Sequence, residues 1–283
     1  MSVRQPETSR SERPACERPI GVFDSGVGGL TVVAALERRL PGEAILYLGD
    51  TARLPYGTKS EETVTRYTQR NLDFLAHRGV KAMVVACNTA SALALPRLSP
   101  QLPTWGVVEP GARAAVEHST SGRIGVIGTE STIRSDAYGQ AIRRHRPEAQ
   151  VSSSSCPLFV PLVEEGWLDD SVVEEVARRY TGSLREAGID TLVLGCTHYP
   201  MLRPVLQRVM GPDVGLVDSA ETTAEAVAVG LAERGLLAGD SAGSRDHGDP
   251  ERHLCVTDAS QPFARVADLI LGAHHRPLEL VEV

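Results

Sequence analysis

Two stretches of this chain have the same form, and each ends on a cysteine. Val80 to Thr89 reads VKAMVVACNT, and Ile189 to His198 reads IDTLVLGCTH. Both are short apolar runs of the kind a parallel strand makes when both its faces are buried. Both close on Cys followed by a small polar pair. In open α/β sheets, ligands gather at the carboxyl ends of strands. Cys87 and Cys196 therefore stand where chemistry is done, once in each of two similar segments.

The cysteine strands belong to a longer internal repeat. Ile20 to Ser25 resembles Ile124 to Thr129 at an offset of 104, and Glu43 to Tyr47 lines up with Glu148 to Ser152 at 105. The cysteines are offset by 109, and Gly106 to Glu109 matches Gly215 to Asp218 at the same spacing. A period this long rules out a solenoid and predicts a duplicated α/β lobe. The expected fold is two pseudo-symmetric, doubly wound lobes with mostly parallel sheets and the active site between them. Residues 19–112 with 219–283 would form the lobe of Cys87, and 113–218 the lobe of Cys196.

Helices fill the gaps. Thr31 to Leu40 puts Val32, Val33, Leu36 and Leu40 on one face. Thr58-Lys59-Ser60-Glu61 has capping-box spacing and opens a helix that Gly79 stops; Ser171 to Glu174 repeats the signal. Asp218 to Leu237 predicts a long helix back to the first lobe, followed by an exposed loop over 238–252. A last strand, His253 to Val256, and a helix, Phe263 to Leu271, close the chain.

Composition narrows the function. Net charge is -7, which argues against nucleic acid as the main partner. No apolar run approaches the ~18 residues of a membrane span. Residues 1–18 are polar and lack the apolar segment of an export signal, so a disordered tail and a cytoplasmic protein are expected. The five cysteines are then reduced thiols. Only Lys59 and Lys81 are lysine, one in a loop and one at the amino end of a strand. Neither suits a pyridoxal-phosphate Schiff base.

The loops after the strands carry the chemistry. Asp24-Ser25-Gly26-Val27-Gly28-Gly29 joins a strand to a helix, where backbone N–H groups favour an anion such as a carboxylate. A dinucleotide fingerprint, with Asp50 holding the ribose, would need glycine at Thr31 and would place Asp24 against phosphate. Asp50-Thr51 ends the second strand, and Pro55 to Thr58 reads as a turn. Cys196 and His198 supply two zinc ligands where about four are usual. No metal or other cofactor is expected there. The repeat context of Cys87 and Cys196 favours an acid/base role, with the start of a helix lowering the Cys87 pKa toward thiolate. Cys16, Cys156 and Cys255 lack that context and read as structural.

Taken together, these stretches resemble the glutamate racemases of the cofactor-independent aspartate/glutamate racemase superfamily. The resemblance rests on VFDSGVGGLTV from Val22, YLGDTARLPYG from Tyr47, VACNTASA from Val85 and IGVIGTESTIRS from Ile124. It continues in PLFVPLVEE from Pro157, LGCTHYP from Leu194 and LVDSAETTA from Leu216. The resemblance implies that Cys87 and Cys196 are acid/base thiols on opposite faces of the substrate Cα. Asp24 would assist the first, and His198 with Glu164 the second, Glu165 being the adjacent alternative. Asp24, Ser25, Asp50, Tyr56, Gly57, Asn88, Thr89, Thr197 and His198 would bind the amino acid. It also implies interconversion of L- and D-glutamate without a cofactor, for peptidoglycan precursors. A racemase for another acidic amino acid, or a binding protein using the same cleft without chemistry, are the competing readings. A homodimer is expected.

Overall fold

Burial on both faces explains the strands. In β1 (Ile20–Asp24), β2 (Ile45–Gly49), β3 (Ala82–Val85) and β7 (Thr191–Gly195) every residue is buried, so apolar side chains run continuously instead of alternating. A computed structural model describes residues 14–238, 252–259, 261–272 and 278–283. Among these residues the strands form two parallel sheets. The first adds β4 (Thr104–Gly106), β9 (Arg252–Val256) and β10 (Glu279–Leu280), in the order β10-β9-β2-β1-β3-β4. The second takes β5 (Arg123–Gly128), β6 (Gln150–Ser155) and β8 (Gly215–Asp218), in the order β6-β5-β7-β8. The exposed edge position of β6 accounts for its run of serines.

Two helices carry the chain between the sheets. Helix α4 (Val108–His118) leads out of the first sheet, and α10 (Ser219–Glu233) leads back to it; the two pack on each other. Asp218 caps α10 by accepting from the Ala220 N–H. No described helix is long and apolar enough to cross a membrane.

The register corrects the repeat in two places. Ile45 lies opposite Ile20, and Val151 opposite Ile124, so the second strands correspond at an offset of 106. The spacing of 105 read from the sequence is one residue short, which would exchange the faces of every side chain. Gly106 pairs with Val85, and Asp218 with Leu194. Gly106 thus corresponds to Asp218 and not to Gly215. The reason is local: the chain turns helical at Val107, whereas β8 stays extended through Asp218.

The expected helix caps also move. Ser60, not Thr58, accepts from the Thr63 N–H to open α2 (Glu61–His77), because Thr58 is already used in a 3-10 turn over Tyr56–Thr58. Asp170, not Ser171, caps α8 (Ser171–Glu186). Most of the expected tail, and 239–251 of the expected loop, lie outside the described residues. Within 14–18 the tail expectation fails, since Ala15–Glu17 forms a 3-10 turn.

That turn is held by the buried Lys81. Its ammonium donates to the Cys16 carbonyl at 2.7 Å and to Glu43 Oε2 at 2.5 Å, while Glu43 Oε1 accepts from the Ala238 N–H at 2.8 Å. Removing one member of a buried pair strands the other charge. Lys81→Ala is expected to cost about 3–5 kcal/mol in urea unfolding.

Candidate active site

The carboxyl ends of β1, β3 and β7, with the loop after β5, meet in a buried polar cluster. After β1 the chain turns through Ser25–Gly29 into α1 (Leu30–Arg39). Asp24 is fully buried and folds one oxygen back to accept from the Gly26 N–H at 2.9 Å. Its other oxygen, Oδ1, is buried with no hydrogen-bond partner. Burial pushes the Asp24 carboxyl above the usual carboxylate range, and the nearby His198 charge only partly opposes this.

Cys87 follows β3 and occupies the cap position of the short helix α3 (Asn88–Leu93). Its thiol, 5% exposed, donates to Ser25 Oγ at 3.4 Å. The expected lowering of its pKa is overturned. Burial, helped by the Asp24 charge, pushes the thiol up to about 12, against smaller lowering by Ser25 and the Ala90 N–H. The helix spans only Asn88–Leu93, and its field cannot offset the loss of water around sulfur.

Cys196 sits in different company. Its Sγ, on a residue 6% exposed, lies 3.9 Å from His198 Nδ1, and His198 Nε2 lies 3.2 Å from Glu164 Oε1. Burial disfavours charge on this imidazole, but its bonds to Cys196 and Glu164 outweigh burial and raise it to about 10. A protonated His198 has one N–H donor for each of these neighbours. The structure also separates the two candidate glutamates. Glu164 ends α7 (Phe159–Glu164) with its carboxylate on His198, whereas Glu165 Oε2 faces Arg265 at 3.6 Å. Arg265, on α11 (Gln261–Leu271), also donates to the Glu164 carbonyl and holds the end of α7.

Asn88 and Thr89 form the first turn of α3. Asn88 Oδ1 accepts from the Tyr138 hydroxyl at 3.4 Å, while its Nδ2 is buried without a partner. The Thr89 hydroxyl lies 3.0 Å from Thr129 Oγ1 and 3.3 Å from Thr132 Oγ1, both beyond the end of β5. Sequence reasoning did not single out Thr129 and Thr132. The signal was present as a Thr-x-x-Thr cap, since the Thr129 side chain accepts from the Thr132 N–H to open α5 (Glu130–Arg134).

Two glycines let the sheets' loops touch. A Cβ on Gly28 would lie 2.3 Å from Thr197 Oγ1 and 2.5 Å from His198 Nδ1. A Cβ on Gly57 would lie 2.8 Å from Thr129 Cβ. Across these contacts, Thr31 Oγ1 donates to the Thr197 carbonyl at 3.3 Å, and Ser131 Oγ to the Gly57 carbonyl at 2.7 Å.

Asp50 and Tyr56 lie deeper in the first half. Asp50 Oδ2 accepts from Tyr56 OH at 2.6 Å, and from Asn71 and Arg53 at 3.3 Å each; Oδ1 accepts from Thr257 at 3.0 Å. This carboxylate is occupied as a brace behind the Pro55–Gly57 turn. A cavity of about 640 Å³ opens nearby, lined by Ser91, Arg97, Ser131 and Arg134 among others, but it includes neither thiol. Titratable groups with shifted pKa values gather in the cysteine cluster and not in that cavity, which makes the cluster the candidate site.

The family profile described as Asp/Glu/Hydantoin racemase matches residues 20–227. The chain is 54% identical over 257 residues to the glutamate racemase of Geobacter metallireducens, covering 90% of this chain and 93% of that one. It is 45% identical over 270 residues to that of Neisseria meningitidis, covering 94% and 97%. It superposes on the crystal structure of the Francisella tularensis glutamate racemase in complex with D-glutamate. The TM-score is 0.85 and the identity 37%, covering 94% of this chain and 98% of that one.

Proposed function

The chain belongs to the Asp/Glu/hydantoin racemase family, and we propose that it interconverts L- and D-glutamate by proton transfer at Cα between Cys87 and Cys196. One observation carries this reading. Two buried thiols follow corresponding strands of two parallel sheets, Cys87 against Ser25 Oγ and under the charge of Asp24, Cys196 against the His198 ring. A base on one face with an acid on the other is the direct way to invert a carbon centre, and a binding protein has no need of such a pair.

Two of the buried unpartnered atoms support an amino acid as the ligand. A buried amide donor, Asn88 Nδ2, and a buried carboxylate oxygen, Asp24 Oδ1, are costly unless something pairs with them. A carboxylate and an ammonium on one small molecule would do so, as an amino acid offers. Ser25, Thr89, Thr197 and the Tyr56–Gly57 backbone complete the proposed binding shell, with Asp50 bracing it.

The partners set the order of proton movements. Asp24 and burial hold Cys87 as a thiol, ready to give a proton. The His198 imidazolium offers Cys196 a charged donor, which a sulfur needs once its own proton has gone. Glu164 keeps that imidazole oriented. One direction of turnover begins with Cys196 as base and Cys87 as acid; the reverse direction begins with the roles exchanged. The Cα–H is a very weak acid, so a dry site with donors fixed on the carboxylate is part of the catalysis.

The proposed setting is the cytoplasm, as a homodimer, supplying D-glutamate for peptidoglycan precursors. Protein incubated with L-glutamate alone should lose optical rotation, with aspartate turning over far more slowly. Pyridoxal phosphate, nicotinamide cofactors, ATP and divalent metals should leave the rate unchanged, as should EDTA. No rotation change with glutamate, or a rate abolished by chelation and restored by one metal, would refute the proposal.

A further inference from the structure

Cys255 has no notable context in the sequence, yet in the fold it forms one corner of a three-donor cluster. β9 sets His253 and Cys255 two residues apart on one face, and β10 places Glu279 in register with Cys255. One ligand atom from each of the three residues lies within 4.8 Å of the others. Glu279 Oε2 is their meeting point: it contacts His253 Nε2 and lies 3.6 Å from Cys255 Sγ. Arg78 lies 3.3 Å from the same oxygen and donates to Oε1 at 2.6 Å.

The active-site trio has the same residue types and a different geometry. There the His198 imidazole stands between sulfur and carboxylate and gives one nitrogen to each. Its three donors cannot close on one ion. In the second trio the donors converge. We propose that His253, Cys255 and Glu279 bind one Zn²⁺, away from the reacting thiols, and thereby pin β10 to β9.

The donor set suits that ion. Zinc takes nitrogen, sulfur and carboxylate oxygen at about 2.0–2.3 Å in a tetrahedron, which spaces its donors by about 3.3–3.7 Å. The 3.6 Å between Cys255 Sγ and Glu279 Oε2 is already of that size, and the hydrogen bond between His253 and Glu279 would open to it as the ion enters. Cys255 is buried, while the side chains of His253 and Glu279 are 33% and 37% exposed, leaving a way in from solvent. Binding would release the thiol proton, so a thiolate and a carboxylate face the dication. Arg78 would stay on Oε1 and orient the ligating carboxylate, and water would fill the fourth position.

Reduced full-length protein is titrated with Co²⁺ and, against a chromophoric chelator, with Zn²⁺. One equivalent should bind, with a thiolate-to-cobalt charge-transfer band in the near ultraviolet. Cys255→Ser should remove the band, and His253→Ala, which deletes a ligand, should weaken zinc binding by more than the about 10–100-fold that loss of an outer-shell partner costs. Cys87→Ser and Cys196→Ser should keep both band and stoichiometry. Zinc should also raise the Tm of the native chain and not that of His253→Ala, a half-exposed position that decides the matter if Cys255→Ser does not fold. A band that survives in Cys255→Ser or disappears in Cys196→Ser would overturn the assignment. So would the absence of stoichiometric binding.

Discussion

Cys87→Ser and Cys196→Ser are each expected to lower kcat for glutamate racemisation by at least ~10²–10⁴-fold, the span a positioned acid or base supplies. A serine hydroxyl is far too weak an acid to replace a thiol at either face. The fold should survive, because each sulfur already lies against a polar group, Ser25 Oγ or the His198 ring, that a hydroxyl can satisfy. Far-ultraviolet circular dichroism would show an unchanged spectrum beside the lost optical rotation change. Near-normal turnover in either variant would end the two-thiol mechanism. The two losses should not add, since removing either half of the proton path already stops inversion.

In D2O, D-glutamate formed early from protiated L-glutamate is expected to carry deuterium at Cα almost completely. The thiol that takes the proton from one face cannot deliver it to the other. The proton delivered comes from the second thiol, which exchanges with solvent. The remaining L-glutamate should gain little label at that stage, because the base on its face returns the proton it took. Burial sharpens this expectation, since both cysteines are nearly closed to water. Mass spectrometry of the first D-glutamate reads the result. Substantial retained protium would mean a single base swinging between faces, whatever the placement of Cys87 and Cys196.

Much of this protein could be read from the chain itself. Strands such as Ile20–Asp24 and Thr191–Gly195 are legible because burial on both faces leaves only apolar and small residues in them. The parallel α/β class follows from their alternation with helices, and the cysteines stand out because they recur at the ends of matching strands. β10 was not foreseen: Glu279–Leu280 is a strand only because β9 offers it an edge. The cap assignments at Thr58 and Ser171 failed for a related reason. Capping depends on the backbone angles of one residue, which a motif with several suitable side chains does not specify.

Local sequence determined which segments are strands, which loops carry polar groups and where the paired thiols lie. Only the tertiary structure decided what each group faces, because burial and long-range neighbours set ionisation more strongly than local position. Cys87 begins a helix, yet desolvation and Asp24 carry its pKa upward. The His198 pKa is pushed down by burial but raised by Cys196 and by Glu164 on α7, thirty-four residues earlier in the chain. Glu164 and Glu165 are equivalent as sequence; the packing of α7 against α11 turns one carboxylate to the imidazole and the other to Arg265. Register was decided the same way. The offsets of 106 and of Gly106 to Asp218 come from hydrogen bonds between strands, which no pattern of apolar residues along one strand contains.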